Sequence, residues 1–464
     1  MKKSLLLLAC PLLIFAVTID FETSLLKTIQ NNKGLKAKKL EIQNAKLDLE
    51  EAKGYNYGSL IFNENISRTN NAGYVFGMKM ASKEATFDDF GFGHFIDQMG
   101  GLMNPSTATQ TKSALLAHKP ENLNNPDART NYETKLTYKV PLFTGYKLQN
   151  AQKMAQLQVL ANSAKYTYDK KQLGLEVLKA YNGAVASKEF IKATTKAKEA
   201  TNSFVEFAKE LYNEGLVTSI DVKQAKVYDM GVDSKMIEAK NRYDLAISYL
   251  KFLTSDTSIT DVKNFKNIDI DIKSLNLLQV NANKNRDDFS WMKYNVDTMK
   301  TKIDFDSANN YPMIGAQLEY GNNDDTFNPV DTDHDYYLGA VGLSYTLFDG
   351  SLTSIKKQKA KIQYNKTKYY LEYMKDGIKL EVEKNMLTLQ AKKKIFIQKQ
   401  KAQNLAEQVL EQSREMYKNH LINMSNLLMQ QANEQKANAA MIFAKYEETL
   451  ASAVLQISLG ENLK

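Results

Sequence analysis

Val140-Pro141-Leu142-Phe143-Thr144-Gly145 and Tyr345-Thr346-Leu347-Phe348-Asp349-Gly350 are the same phrase written twice, 205 residues apart. At that offset Tyr212 falls on Tyr417 and Leu216 on Leu421, so the copies run in step without a gap from the Leu-Phe-x-Gly landmark onward. Self-similarity at a fixed spacing marks a repeated structural unit. Upstream the offset becomes 256, with Leu35, Leu47 and Ala52 on Trp291, Ile303 and Ala308, so the first copy carries a 51-residue excess before its landmark.

Each copy changes hydrophobic period in the same order. Residues 22–53 and 274–308 read as helices rich in Lys, Glu, Leu and Ala. Tyr132, Thr134, Leu136, Tyr138, Val140 and Leu142 then alternate with polar neighbours, as do Ile314, Ala316, Leu318 and Tyr320, and Tyr337, Gly339, Val341, Leu343, Tyr345 and Leu347. Period two predicts strands with one apolar face. A first strand is expected within 57–80, where Tyr74, Phe76, Met78 and Met80 alternate most clearly. Past each landmark the prolines stop, since all seven sit at 11, 105, 120, 126, 141, 312 and 329. Met154, Ala161, Tyr168 and Leu175 lie seven apart, as do Ile355, Ile362 and Tyr369. Such a seam predicts long coiled-coil helices, reversed near Asn213-Glu214-Gly215 and Lys418-Asn419-His420 into antiparallel hairpins.

Expected boundaries follow: a leader over 1–16; a first repeat over 17–272 with strands within 57–143, a helical hairpin over 146–252 and an equatorial segment over 253–272; and a second repeat over 273–464 with a helix over 274–308, strands over 312–348 and a hairpin over 351–457. Met1-Lys2-Lys3 before the apolar run 4–17 has the form of a secretory signal, and Leu7-Leu8-Ala9-Cys10 offers Cys10 as an alternative lipidation site. The apolar run is too short to span a bilayer as a helix.

Composition narrows the function classes. One cysteine and four scattered histidines exclude disulfide scaffolds and zinc clusters, and no nucleophile, base and metal constellation supports catalysis, so no cofactor is expected. The basic excess is 61 against 53, but only five of those residues are arginine and the lysines are interspersed with glutamates, which argues against nucleic acid. Four amphipathic strands suit a barrel wall between lipid and water, but four cannot close a barrel, and open edges in lipid leave backbone groups unpaired. Several chains must share one barrel; the alternative is a soluble sheet packed on helices.

The two junctions, the tip Tyr212-Asn213-Glu214-Gly215-Leu216-Val217-Thr218-Ser219-Ile220-Asp221-Val222 and the duplicated element order resemble the TolC family of outer-membrane efflux proteins over nearly the whole mature chain. The resemblance implies an α+β membrane protein: a homotrimer with a 12-stranded β-barrel in outer-membrane lipid and a periplasmic tunnel of long antiparallel helical hairpins. It implies a passive exit duct of a tripartite efflux pump, or of a type I protein secretion system, working with a periplasmic adaptor and an inner-membrane transporter. A periplasmic coiled-coil adaptor or structural protein is the rival from another class; an adaptor's β-domain has no room in the proline-free run 146–252.

The resemblance assigns the adaptor contacts to Gly215, Leu216, Val217 and Thr218 and to His420, Leu421, Ile422 and Asn423, with His420 departing from the usual glycine. It places Asp221, Tyr417, Asn426 and Met429 at the periplasmic aperture, and Pro141, Gly145 and Gly350 at the strand-to-helix junctions. Ile422 replaces the arginine of the family's ionic tie, and Asn426 and Met429 replace its ring of aspartates. Weak cation selectivity is the expected consequence. By residue chemistry alone, Gly215 is a helix stop, and Thr218 or Ser219 the next N-cap. Phe87, Phe90, Phe92 and Phe95 in the long excess are expected to rim an extracellular lid, with an interfacial anchor as the alternative. The loop from Asp324-Asp325 to Asp335 reads as a solvated turn without the EF-hand glycine and glutamate. Met78 and Met80 are expected on a lipid-facing strand rather than as copper ligands, and no metal site is expected.

Overall fold

The backbone places a left-handed pair of residues at both landmarks: Gly145 and Tyr146 at φ 61° and 65°, Gly350 and Ser351 at φ 65° and 67°. The chain turns there from strand to helix in the computed structural model, which describes residues 17–463 save 273, 329–331 and 420. The leader with Cys10, the tip residue His420 and part of the acidic loop lie outside the described residues.

In chain order the elements are β1 (Val17–Ile19), α1 (Phe21–Asn31), α2 (Lys33–Gly54), β2 (Ser59–Thr69), α3 (Ala72–Ala81), α4 (Phe92–Asp97), α5 (Met99–Met103), α6 (Ala108–Ala117), α7 (Glu121–Asn124) and β3 (Arg129–Thr144). After these come α8 (Lys147–Asn213), α9 (Ser219–Thr254), β4 (Ile259–Val262), α10 (Leu275–Asn285), α11 (Asp287–Asp306), β5 (Met313–Asp324), β6 (Asp335–Ser344), α12 (Leu352–Lys418) and α13 (Met424–Ser458). The repeat is exact in its longest elements, because α8 and α12 each have 67 residues and begin and end at the 205 offset. Each is about 100 Å long at 1.5 Å per residue.

Two compact units form, and neither is a repeat. One gathers the chain up to Lys46 with Leu157–Thr298 and Tyr364 onward; the other holds Leu47–Gln156 and Met299–Gln363. The second unit contains the antiparallel sheet β2-β3-β5-β6. Its ladder pairs Phe62, Leu136, Tyr320 and Tyr337 in one apolar row and sets Glu133, Lys135, Glu319 and Tyr336 on the opposite face. The register shifts between Pro141 and Phe143, a bulge that accommodates a residue without an N–H.

The expected strand within 57–80 is present as β2, but the alternation at Tyr74, Phe76, Met78 and Met80 lies on helix α3 instead. Asn71 caps that helix, its side chain accepting from the Tyr74 N–H at 3.4 Å, and Val75 alone among its residues is buried. A ten-residue helix also presents i and i+4 on one face, so 74 with 78 and 76 with 80 satisfy both periods. Met78 and Met80 therefore belong to the insertion, not to a lipid-facing strand. Helices α1 and α2 break at Asn32, and α10 and α11 at Arg286, a spacing of 254 rather than 256.

In the first unit, β1 pairs in parallel with β4, a contact too short for periodicity to announce. Around it Ile19, Phe21, Val177, Leu178, Tyr181, Leu250, Ile259 and Val262 form one core. Asn182 fastens the equatorial segment by donating to the Lys266 carbonyl and accepting the Lys266 N–H, both at 3.0 Å. Below the second helix break, Arg286 is buried and holds Asp288 at 2.7 Å, Glu381 at 2.6 Å and the Ser458 carbonyl. Among the seven-spaced residues, Ala161 and Leu175 of α8 are buried within the chain, whereas Ile355, Ile362 and Tyr369 of α12 are exposed.

Ion pairs tie the N-terminal segment to this equator: Lys27 with Asp256 at 2.5 Å, Lys263 with Asp20 at 3.0 Å and Lys266 with Glu22 at 2.5 Å. Hydrogen bonds from Thr23 and then Lys263 lower the Asp20 pKa to about 2, and hydrogen bonds from Lys27 and Ser258 do the same for Asp256. Carboxylates depressed in the folded state stabilise it above their unfolded pKa, near 4, and that contribution is lost as pH falls toward 2. Amide protection over residues 17–31, taken relative to the intrinsic exchange rate at each pH, is expected to be flat above about pH 5 and to fall below about pH 4, with Asp20→Asn flattening the profile.

Candidate functional site

At the end of α8 the chain makes a tight turn. The Gly215 N–H donates to the Tyr212 carbonyl and the Leu216 N–H to the Leu211 carbonyl, with Gly215 at φ 72°. This is a glycine-terminated helix stop. Thr218 then caps α9: the Asp221 carboxylate accepts from the Thr218 N–H at 3.0 Å and from its hydroxyl at 2.8 Å. The second tip follows the same course, since the Leu421 N–H donates to the Met416 carbonyl at 2.8 Å, the equivalent of the Leu216 bond. There Asn423 is the N-cap, accepting from the Asn426 N–H at 2.9 Å. Equivalent positions thus close the two helix starts in opposite senses, a carboxylate three residues in reaching back to Thr218 in one and the Asn423 amide reaching forward to Asn426 in the other.

The tips are set by a shared core of Phe204, Val205, Ala208, Leu211, Ala225, Leu410, Tyr417, Met424, Leu427 and Leu428, with Val217 and Ile422 packed against it. Tyr417 is 4% exposed and meets Phe207 edge to face at 5.7 Å, whereas its repeat equivalent Tyr212 is 49% exposed. The Tyr417 hydroxyl is buried without a hydrogen-bond partner among the described residues. Burial, and then the charge of Asp221, push its pKa up. Asp221 is engaged by its own cap, so within one chain no hydrogen bond ties it to Tyr417. Leu216, Leu421 and Met429 are exposed, and Asn423 and Asn426 lie open beside them. The tip therefore offers neutral, apolar and amide groups, with Asp221 the one carboxylate among the assigned aperture positions.

Arg414 escaped the sequence reading. It stacks over Phe204 at 5.7 Å, reaches Gln431 at 3.3 Å, and so joins α8, α12 and α13 just above the tip core. The signal was its rarity, because arginine is scarce in this lysine-rich chain and two others, Arg129 and Arg286, also stand in buried ionic clusters.

The junction residues are explained by space. A Cβ on Gly145 would lie 2.3 Å from the Ala308 carbonyl oxygen, whereas one on Gly350 would meet nothing within 4 Å. The residue before each glycine caps the following helix: Thr144 accepts from the Leu148 N–H at 3.3 Å and Asp349 from the Thr353 N–H at 2.9 Å.

Long paired hairpins, a four-stranded amphipathic sheet and glycine junctions between them define a TolC-like subunit of an outer-membrane duct. The chain belongs to the outer membrane efflux protein family, which it matches over residues 104–254 and 278–461, one segment in each repeat. No functionally curated protein matches it significantly. Among solved structures it is similar to CusC, a protein that forms a transmembrane channel, at 12% identity and TM-score 0.77, over 97% of this chain and 94% of that one. The Campylobacter jejuni outer membrane channel CmeC gives 14% identity and TM-score 0.76 over 96% and 86%, and the Vibrio cholerae outer membrane protein VceC 14% and 0.74 over 96% and 97%. Family membership places the protein in the outer membrane.

Two substitutions test the local geometry. Gly145→Ala is expected to destabilise well beyond the roughly 1–2 kcal/mol of a left-handed alanine, and Gly350→Ala by about that amount alone, as read from thermal melts of the purified protein. Tyr417→Phe removes a polar atom that has no partner among the described residues and is expected to leave stability within about 0.5 kcal/mol or raise it; a larger loss would show that the hydroxyl is bonded.

Proposed function

We propose that three copies of this chain assemble into a passive exit duct of a tripartite efflux pump, conducting small molecules from the periplasm to the outside. The observation that carries the reading is the sheet. Among the described residues its edges, β2 and β6, are unpaired, and Leu60, Phe62, Leu318, Tyr337, Val341 and Leu343 stand exposed on its apolar face. In lipid such a sheet persists only if its edges are paired by other copies. Three copies pool twelve strands, as in the barrel that the TolC resemblance implies. The exposed seam Ile355, Ile362 and Tyr369 gives the second hairpin a face for a neighbouring helix, which supports the same assembly.

The opposite face of the sheet is polar and internally paired: Lys135 with Glu133 at 2.9 Å, Asn65 with Glu133 at 2.9 Å, and Tyr336 with Glu319 at 3.1 Å. That face suits a water-filled lumen. The hairpin tips, with Leu216, Val217 and Thr218 in one and Leu421, Ile422 and Asn423 in the other, are the docking elements for a periplasmic adaptor that links the duct to an energised inner-membrane transporter. Asp221, Tyr417, Asn426 and Met429 surround the aperture, and the family's name for efflux favours small-molecule cargo over secreted protein.

Extraction from outer membranes as a heat-labile trimer is the expected behaviour, and a soluble monomer would defeat the proposal. In planar bilayers the trimer is expected to show cation over anion permeability within about threefold and little block by divalent cations from the tip side, because amide and thioether groups replace an acidic ring. Deleting the protein is expected to raise sensitivity to small toxic compounds while leaving the set of secreted proteins unchanged.

A further inference from the structure

The insertion between β2 and β3 carries a surface that conduction does not use. From Phe90 to Thr111 the only formally charged residue is Asp97. Phe87, Phe92, Phe95, Ile96, Met103 and Leu116 are all exposed, Phe87 at 78% and Met103 at 79%. Edge-to-face contacts of 5.5 Å between Phe87 and Phe92, and 6.2 Å between Phe92 and Phe95, set three rings side by side. A cluster of open apolar side chains of this kind marks an interaction surface.

The sheet indicates what that surface meets. On its apolar face the row of Phe62, Leu136, Tyr320 and Tyr337 is followed, two residues along each strand, by Glu64, Thr134, Asn322 and Asp335. The step is about 7 Å, so apolar wall gives way to polar side chains over the depth of a headgroup layer. The insertion is fastened to this polar edge. Lys83 reaches Asp335 at 3.2 Å, and Asp335 also accepts from the Tyr320 hydroxyl on the apolar face. The Glu84 carboxylate lies within 4.8 Å of those of Asp324 and Asp325, and Arg129 joins it. Asn322 and Asp324 are buried there, while Tyr337 below them is 87% exposed. Lys83 holds the root of the insertion against the lipid-facing side of β6, while Arg129, which shares the face of Glu133 and Lys135, holds Glu84 from the other side of the strand end.

We propose that the insertion is an interfacial foot, whose aromatic and methionine side chains enter the headgroup and upper acyl region of the outer leaflet beside the barrel. The occupant is a lipid surface. Near-absence of charge suits that environment, Lys83 ties the insertion through Asp335 to Tyr320 of the apolar band, and aromatic rings favour the boundary where an apolar body meets water. A lid formed by copies of the insertion meeting over the barrel mouth is the competing arrangement. The inference rests on the outer-membrane channel reading, and the test separates the two.

In a Trp291→Phe background of the full-length protein, Met103→Trp and, on α6, Leu116→Trp report on the insertion, and Tyr337→Trp reports on the sheet. The protein is reconstituted into phosphatidylcholine vesicles whose acyl chains are brominated near the carbonyl end. Emission from Met103→Trp and Leu116→Trp is expected to fall at least about twofold relative to unbrominated vesicles and to resist aqueous acrylamide, as interfacial insertion requires. Quenching of Tyr337→Trp alone would overturn the foot and leave the channel reading standing. Failure of all three to be quenched would overturn both. Efficient disulfide formation between copies of Met103→Cys would establish the lid in place of the foot.

Discussion

A strand edge cannot be left unpaired in hydrocarbon. Each exposed backbone N–H or C=O there costs several kcal/mol, with no water to repay it. The sheet β2-β3-β5-β6 has an apolar face that calls for lipid and two edges that forbid a lone chain from entering it. The rest follows from that conflict. In the proposed assembly closure is shared among chains, and the strands hand over to helices because a helix satisfies its own backbone and can continue alone. The hand-over takes two left-handed residues in each repeat, Gly145-Tyr146 and Gly350-Ser351.

The repeat is preserved where local geometry demands it and abandoned where packing differs. Helix lengths, tip turns and cap positions recur at the 205 offset, even though Asp221 reaches back to Thr218 in one tip and Asn423 reaches forward to Asn426 in the other. Tertiary surroundings are unequal. Gly145 is pressed against the Ala308 carbonyl while Gly350 faces open space, and Tyr417 is buried while Tyr212 is exposed. One half of each pair packs within its own chain and the other is left exposed. The compact units accordingly cut across the repeats, each drawing segments from both.

Much of this was legible because long periodic segments state their structure repeatedly. The 67-residue helices, strands β3, β5 and β6, the glycine stop at Gly215 and the cap at Thr218 were all read from spacing and residue type. Short or distant features were not. Tyr74 to Met80 obeys both periods, and the Asn71 cap settles it as helix. The β1–β4 pair rests on a three-residue and a four-residue strand. The ionic cluster of Arg286 and the stacking of Arg414 on Phe204 join residues far apart in the chain, so no local pattern could announce them.

The sequence by itself determined the elements, their duplicated order and the residues at the turns, because backbone preference and hydrophobic period act over a few neighbouring positions. It also carried the family resemblance, since the junction and tip phrases are local. Tertiary structure decided which copy of each motif is buried, that Asp221 serves its own cap while the Tyr417 hydroxyl lacks a partner among the described residues, and that Lys83 of the insertion reaches Asp335. Those outcomes depend on contacts between residues hundreds of positions apart, and burial and electrostatics act through space rather than along the chain.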